Sequence, residues 1–471
     1  MSDSRPDVMG PTTDAGTGGV ARDTWGSKAA FVLAAAGSAI GLGNIWGFPT
    51  TTAQNGGAAF LVVYLVCVAL IGAPVMLAEI AIGRRTQRNP VGAFRALAPG
   101  KPWVLVGALG VLAGIVILSF YSVIAGWTIA YIFKTLSGAF PPGADTAAIF
   151  AGVAGSPTAA IAYHMIFMLI TIVVVVGGVR DGIERWTKVL MPGLAVLLLL
   201  LVARAVTLSG AGPGLSFYLN PDFSQIDATV VLAAAGQAFF SLSLGMGAMI
   251  TYGSYLSKKD DLVTSTLAVT AFDTTVAVFA GLLVFPTLFH AGMDPSSSGP
   301  GMVFVVLTSL LGTIPPAPWG GTIFGTMFFI LLFIAALTSS ISLLEVGTAY
   351  VVDEKKVSRR KAAVWLGILA FVIGIPSALA NGAVPWLTEL PGVGTDLLSL
   401  LFTVFGQYAL VVGAFFISIF AGWVWGTKAA GDEVRAADGR FRLGRTWAFL
   451  IRFVCPVVIF LILVSLVQTL L

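Results

Sequence analysis

Two glycine-rich strings hold most of the chemistry in this sequence. Gly37-Ser38-Ala39-Ile40-Gly41-Leu42-Gly43-Asn44 and Ser241-Leu242-Ser243-Leu244-Gly245-Met246-Gly247 each interrupt a long apolar stretch. A helix broken at membrane depth frees backbone N–H and C=O groups, which is tolerated only where they are buried or line a cavity. Freed groups become ligands: half-helix N-termini favour anions, and unwound carbonyls favour cations. Further oxygens come from Asp273, Tyr121 and the run Thr338-Ser339-Ser340. An acid deep in an apolar span is costly and marks function. The competing reading is structural. Small residues let helices approach, and helical Thr or Ser can bond back to carbonyls. Two interrupted strings in matching positions favour a solute and ion site over packing.

The elements that must position these groups are membrane helices. The chain has 471 residues, 57% hydrophobic and only 10% charged, against roughly 25% charged in a soluble domain. Mean hydropathy is +0.94. So few charges cannot cover a soluble surface. Cys67 and Cys455 lie in apolar runs and His164 and His290 are far apart, so neither a disulfide framework nor a Cys/His metal site is written here.

Spans of about 20 apolar residues fall at 28–51, 57–83, 103–133, 160–179, 187–208, 228–256, 263–289, 321–352, 361–380, 396–425 and 446–470. None shows the alternation of a β-barrel. Of the 26 Lys and Arg residues, all but Lys134 and Arg204 lie in the N-terminal tail, in every second loop, or at the opening of the span that follows. That bias predicts a cytoplasmic N-terminus and, after eleven spans, an extracytoplasmic C-terminus in a multi-pass protein of the cell membrane. Residues 1–24 are polar and lack an apolar core, so they read as a cytoplasmic tail rather than a signal peptide. Spans 1 and 6, the interrupted ones, are five apart. The predicted organisation is therefore a first five-helix repeat at 25–208, an external loop at 209–227, a second repeat at 228–425, a cytoplasmic loop at 426–445 and span 11 at 446–471. Within the second repeat, residues 290–320 read as a short helical hairpin forming an outer lid.

The strings resemble a known family. Trp25-Gly26-Ser27-Lys28 followed by Gly37-x-Ala39-x-Gly41-Leu42-Gly43-Asn44-x-Trp46-x-Phe48-Pro49 is similar to the first helix of the neurotransmitter:sodium symporters. Asn55-Gly56-Gly57, Pro74 to Glu79 and Gly83-Arg84, Phe120-Tyr121 with Trp127-Thr128, Gln237-x-Phe239-Phe240-Ser241-Leu242-Ser243, and Leu337-Thr338-Ser339-Ser340 resemble its second, third, sixth and eighth helices. The likeness runs from about Arg22 to Trp425. It implies an all-α polytopic membrane protein with a LeuT-like 5+5 inverted repeat, broken helices 1 and 6, and one extra C-terminal helix. It implies a Na⁺-coupled importer of amino acids or related amines.

The resemblance also implies two sodium ions and no organic cofactor. The first ion would meet the Ala39 carbonyl, Asn44, Ser241, Asp273 and the substrate carboxylate. The second would meet the carbonyls of Gly37, Ile40 and Ala335 and the hydroxyls of Thr338 and Ser339. The substrate carboxylate would lie on the amides of Gly41 and Gly43 and the Tyr121 hydroxyl. Its side chain would face Ile117, Phe240, Ser243, Met246, Ser339 and Leu343, with Ser38, Ala39 and Ser241 completing the site. These walls are largely apolar, which favours a neutral hydrophobic amino acid. Asp273 stands where the family usually has Asn. Its charge would replace the chloride that some members use, making transport chloride-independent; the alternative is a protonated, structural Asp273. Glu79 resembles a glutamate that supports broken span 6, and Glu345 receives no role.

Gates follow from the same likeness. The family's usual outer ion pair is missing: Gly47 replaces its Arg, and Ser399 aligns with its Asp. Loss of both avoids one unpaired buried charge. Outer closure would rest on Phe240, Tyr121 and Gln237. Arg22, Trp25 and Asp353 would form the inner gate, with Arg22 and Asp353 as its ion pair. Three alternatives remain: a non-transporting sodium-dependent sensor, a symporter for a non-amino-acid amine or organic acid, and a channel. An enzyme is disfavoured, because no Gly-x-Ser-x-Gly elbow or His-Glu-x-x-His pattern occupies a suitable context. Nothing points to nucleic acid, and the oligomeric state is left open.

Overall fold

A computed structural model describes residues 23–293, 303–316, 319–437 and 441–468. Every regular element among them is helical. Nine helices are long and apolar enough to cross a membrane: Ala58–Thr86, Val104–Leu136, Pro157–Val176, Val179–Val206, Leu262–His290, Trp319–Lys355, Arg359–Leu379, Leu397–Val424 and Gly444–Gln468. A tenth span is a bent pair, Lys28–Ala39 and Gly43–Gln54, with a 53° angle between its halves. Ala228–Ser241 and Ala248–Gly253 form the second interrupted segment. These segments fall at the positions of the eleven predicted spans, ten of them long and apolar enough to cross and the sixth, Ala228–Ser241, shorter; the two interrupted ones are first and sixth.

Burial separates centre from periphery. The most apolar window of span 8, Trp319–Lys355, is 83% buried, whereas that of span 11, Gly444–Gln468, is 22% buried. Span 8 is thus a central post and span 11 an outer, lipid-facing helix. Glycine permits the closest crossings. A Cβ on Gly245 would sit 2.0 Å from the Leu410 carbonyl oxygen, so the break in span 6 lies directly against the backbone of span 10.

One expectation is corrected. Span 5 begins at Val179 instead of 187, with a π-helical turn over Val179–Glu184. Charges Arg180 to Arg185 suggested a loop, but buried Glu184 is satisfied inside the fold. It accepts from the Gly26 amide at 2.8 Å and pairs with Lys188 at 2.6 Å. In the segment expected to form an outer lid, the described part has the turn Val306–Ser309 and a 3₁₀ turn at Leu311–Thr313. Phe304 anchors it, packing on Trp127, Tyr131, Phe150 and Phe329, while its carbonyl accepts from the Tyr131 hydroxyl at 2.9 Å. Residues 294–302 and 317–318 of that segment lie outside the described residues.

On the face carrying the basic loops, a buried charge cluster fastens three elements. Arg84, at the end of span 2, is fully buried. It pairs with Glu433 at 2.9 Å, on the short helix Thr427–Arg435 after span 10. Lys258, in the loop after span 6, reaches the same Glu433 oxygen at 2.9 Å. Removing one partner strands a buried charge, which costs about 3–5 kcal/mol. Glu433→Ala should therefore lower the thermal midpoint of the detergent-solubilised protein clearly, whereas Asp432→Ala, which removes an exposed pair with Arg435, should leave it within error.

Candidate functional site

The two helix breaks meet at the centre. In span 1, Ile40 is extended (φ −72°, ψ 105°) and ends the first half-helix. In span 6, Ser243, Gly245 and Gly247 have φ of 53°, 86° and 77°. Glycine adopts this left-handed backbone freely, but Ser243 does not. Its hydroxyl donates to the Ser38 carbonyl at 2.9 Å, tying one break to the other. Glu79 accepts from the freed Gly245 amide at 2.8 Å, as the sequence predicts.

A buried polar node joins spans 1, 6 and 7. Asn44 Nδ2 donates to Asp273 Oδ1 at 2.7 Å and to Ser241 Oγ at 2.9 Å. Ser241 Oγ donates to Asp273 Oδ2 at 2.7 Å. Asn44 Oδ1 accepts from the Gly41 amide at 3.0 Å, holding the unwound stretch in place. Asn44 and Asp273 are fully buried and Ser241 nearly so. The node thus gathers a carboxylate, a hydroxyl and an amide, with Ala39 buried beside it. All can present hard oxygen to a cation. Among the described residues no cluster of three His, Cys, Asp or Glu exists. A single carboxylate suits a monovalent ion better than a divalent one, which gathers several.

A second oxygen set lies between spans 1 and 8. Ser339 Oγ is 3.2 Å from the carbonyls of both Ser38 and Ile40. Thr338 Oγ1 donates to the Ile334 and Ala335 carbonyls at 3.1 Å. A Cβ on Gly37 would lie 3.1 Å from Thr338 Cβ, so these helices touch. Gly37, Ile40, Ala335, Thr338 and Ser339 are therefore adjacent. Back-bonding by Thr338 leaves its oxygen lone pairs free to accept a cation.

Between the two sets is a cavity of about 50 Å³, on a measure by which one water needs roughly 10–15 Å³. Its walls include Ser38, Ala39, Gly41, Gly43, Ile117, Tyr121, Phe240, Ser243, Met246, Ser339 and Leu343. Ser241, also expected there, is absent from the walls because its hydroxyl is turned into the Asn44–Asp273 node. Tyr121 accepts from the Leu42 amide at 3.2 Å. A Cβ on Gly41 would approach Ser339 Oγ to 2.7 Å, and one on Gly43 would approach the Phe240 ring to 2.5 Å. The lack of a side chain at both positions lets the unwound stretch of span 1 approach Ser339 and Phe240, while the Gly41 amide is taken by Asn44.

Sequence reasoning missed the wall residues Leu42, Phe120, Ser342, Phe402, Gly406 and Leu410. Ser342 accepts from Ser38 Oγ at 2.7 Å, a hydroxyl pair signalled only by its place one turn beyond Ser339. Phe402 packs edge-on against Phe240 at 5.7 Å. Ser399 instead bonds back to Asp396 at 2.6 Å, at the start of span 10. Phe402 thus takes the place facing the outer side of the cavity. Gln237 donates to the Gly43 carbonyl at 3.1 Å, and a Cβ on Gly47 would be no closer than 3.8 Å to anything.

At the other end, Trp25 Nε1 donates to the Tyr252 carbonyl at 3.0 Å, and its ring packs on Tyr252 and Tyr255. Asp353 accepts from the Asn89 amide at 2.8 Å; Arg22 lies outside the described residues. Glu345 gains a role that the sequence left blank. It is buried, accepts from the Tyr255 hydroxyl at 2.6 Å, and pairs with Arg359. Arg359 also lies 3.6 Å from Asp23, just before span 1.

Comparison with known proteins agrees with this geometry. The chain matches the signature of the Sodium:neurotransmitter symporter family over residues 22–149 and 152–470. It is 38% identical over 448 residues to the uncharacterized sodium-dependent transporter YhdH of Bacillus subtilis, covering 94% of this chain and 97% of that one. It is 34% identical to an uncharacterized sodium-dependent transporter of Haemophilus influenzae, with 94% and 98% covered. The crystal structure of MhsT in complex with L-phenylalanine superposes with a TM-score of 0.86 at 45% identity, covering 94% of this chain and all of that one.

The glycine contacts give a contrast that can be measured. Overpacking costs about 1–3 kcal/mol. Gly43→Ala should therefore weaken Na⁺-dependent solute binding by about tenfold or more, while Gly47→Ala, with ordinary contacts, should leave it unchanged. Equal losses in both variants would contradict the geometry.

Proposed function

We propose that this chain, which belongs to the sodium:neurotransmitter symporter family, imports a neutral hydrophobic amino acid with two Na⁺ ions and does not need chloride. It is a multi-pass, sodium-dependent symporter and not an enzyme. The observation that carries the finer reading is the cavity between the two helix breaks. It has Gly41, Gly43 and Tyr121 on one side and Ile117, Phe120, Phe240, Met246 and Leu343 around it. The first group suits a carboxylate, because unwound amides and a phenol donate hydrogen bonds. The second suits an apolar side chain. The L-phenylalanine bound to MhsT supports the same class.

Coupling would follow from shared charge. The substrate carboxylate would complete the shell of the first Na⁺, beside Asn44, Ser241, Asp273 and the Ala39 carbonyl. Turning the Asn44 amide over would bring its oxygen to that ion. Each ligand would then raise the affinity of the other, as linkage requires. The second ion would sit at Gly37, Ile40, Ala335, Thr338 and Ser339, clamping span 1 to span 8. Two Na⁺ and a zwitterion carry net charge +2 into a buried site. The Asp273 carboxylate would offset one unit, the role that chloride plays elsewhere in the family. About 2.3 kcal/mol per ion per 100 mV and about 1.4 kcal/mol per tenfold gradient give about 7 kcal/mol for two ions. That would sustain a solute gradient of about 10⁵.

Alternating access would use the contacts at each end of the cavity. Phe240, Phe402 and the Gln237–Gly43 bond would close the outer side in place of an ion pair. Trp25 on Tyr252 and Tyr255, with Asp23, Arg359 and Glu345 beside them, would close the inner side. The N-terminus would be cytoplasmic, on the side of the basic loops.

Uptake of labelled L-phenylalanine and a mixture of other amino acids into proteoliposomes tests the proposal, with an inward Na⁺ gradient in chloride or in gluconate. The expected result is concentrative Na⁺-dependent uptake, equal in both anions. Asp273→Asn should lose most uptake in gluconate and regain part of it in chloride. Uptake that needs chloride in the parent protein and survives Asp273→Asn would overturn the role of Asp273. Na⁺-dependent uptake of amines or organic acids alone would overturn the solute class.

A further inference from the structure

We propose that Arg452 and Trp423 form a binding site for the phosphodiester headgroup of an anionic glycerophospholipid, in the leaflet on the side of the basic loops. Arg452 is eight residues into span 11, which starts at Gly444, but a Cβ on Gly422 would touch its Cα, so it stands level with the end of span 10, Leu397–Val424, near the membrane edge. It is exposed, and its surroundings are apolar. Leu443 and Phe449 on one side, and Phe453, Val457, Phe460 and Leu461 on the other, are large exposed hydrophobics. A guanidinium among lipid-facing apolar side chains favours an anionic counter-group. Among the described residues no carboxylate pairs with it.

The site is built, not incidental. The Arg452 guanidinium lies over the Trp423 ring, 4.1 Å from its centroid, and 5.6 Å from that of Phe453. Trp423 Nε1 donates to the Arg452 carbonyl at 3.0 Å. Both helices widen here into π-helical turns, Phe420–Val424 and Leu450–Val454. Such turns shift the backbone register and recur at functional sites. A Cβ on Gly422 would lie 3.0 Å from Arg452 Cα, so the helices touch at this level. The contact holds the head of Arg452 on an aromatic plate. Arg445, also exposed, stands about two turns nearer the basic loop. A headgroup phosphate is the anion that the surrounding bilayer supplies at this depth, and basic surfaces between helices on this side recognise anionic lipids.

The full-length chain in detergent, given equal phosphatidylglycerol and phosphatidylcholine, should retain phosphatidylglycerol about fivefold over phosphatidylcholine in native mass spectrometry, the ratio for one basic residue near the surface. Arg452→Gln should abolish that preference. Arg452→Lys should keep most of it, and Arg442→Gln should leave it unchanged. The parent protein alone also decides, should Arg452→Gln fail to fold. Equal retention of the two lipids would overturn the proposal. So would an unaltered preference in Arg452→Gln, or displacement of the lipid by glycerol 3-phosphate at equal concentration, which would make a soluble phosphate the ligand.

Discussion

The fold is organised around a carboxylate buried away from solvent. Asp273 is fully buried in span 7, and its two oxygens are held by Asn44 and Ser241, one from each broken helix. A buried polar group left unpaired costs far more than a made bond returns. The breaks are therefore coupled. Span 1 must unwind where Asn44 can reach span 7, and span 6 must end its first half where Ser241 can do the same. The glycines make the unwinding possible, and the node makes it specific. Glu79 on Gly245 and Ser243 on the Ser38 carbonyl hold the remaining freed backbone. A cavity between the breaks follows from this arrangement.

Much of this was legible in the sequence because membrane constraints are strict. Apolar length located the helices, since no other spanning structure satisfies its own backbone. Glycine strings located the breaks, and an intramembrane acid located the node. What stayed hidden depends on register. Ser399 aligns with the family's outer Asp by resemblance alone, and here Asp396 and Ser399 bond to each other at the start of span 10. A π-helical stretch at Phe402–Tyr408 then follows, and Phe402 meets Phe240. Hydropathy is blind to a π turn. The early start of span 5 was hidden in the same way, because Arg180, Arg185 and Glu184 read as loop. Only the amide of Gly26, distant in sequence, explains the burial of Glu184. Glu345 had no visible partner because Tyr255 and Arg359 come from different helices.

The two ends of the cavity carry different contacts. One end is aromatic: Phe240 lies edge-on to Phe402, and Phe402 in turn meets Phe120 at 6.2 Å. The opposite end is ionic and aromatic together, with Glu345 under Tyr255 and Arg359 and with Trp25 packed on two tyrosines. Aromatic contacts lack the long-range pull of an ion pair and carry no desolvation penalty. Charges need partners in every state that buries them. The arrangement suits a transporter whose outer side responds to the solute itself and whose inner side responds to the position of the chain before span 1.

The proposed coupling requires the carboxylate node and the solute to share an ion. Equilibrium binding of labelled L-phenylalanine to the purified protein, across a Na⁺ titration at constant ionic strength, measures that sharing. A shared ion predicts no binding without Na⁺, a Na⁺ dependence with a slope near two, and an equal mutual effect of L-phenylalanine on Na⁺ affinity. Binding of L-phenylalanine that is indifferent to Na⁺ would contradict it.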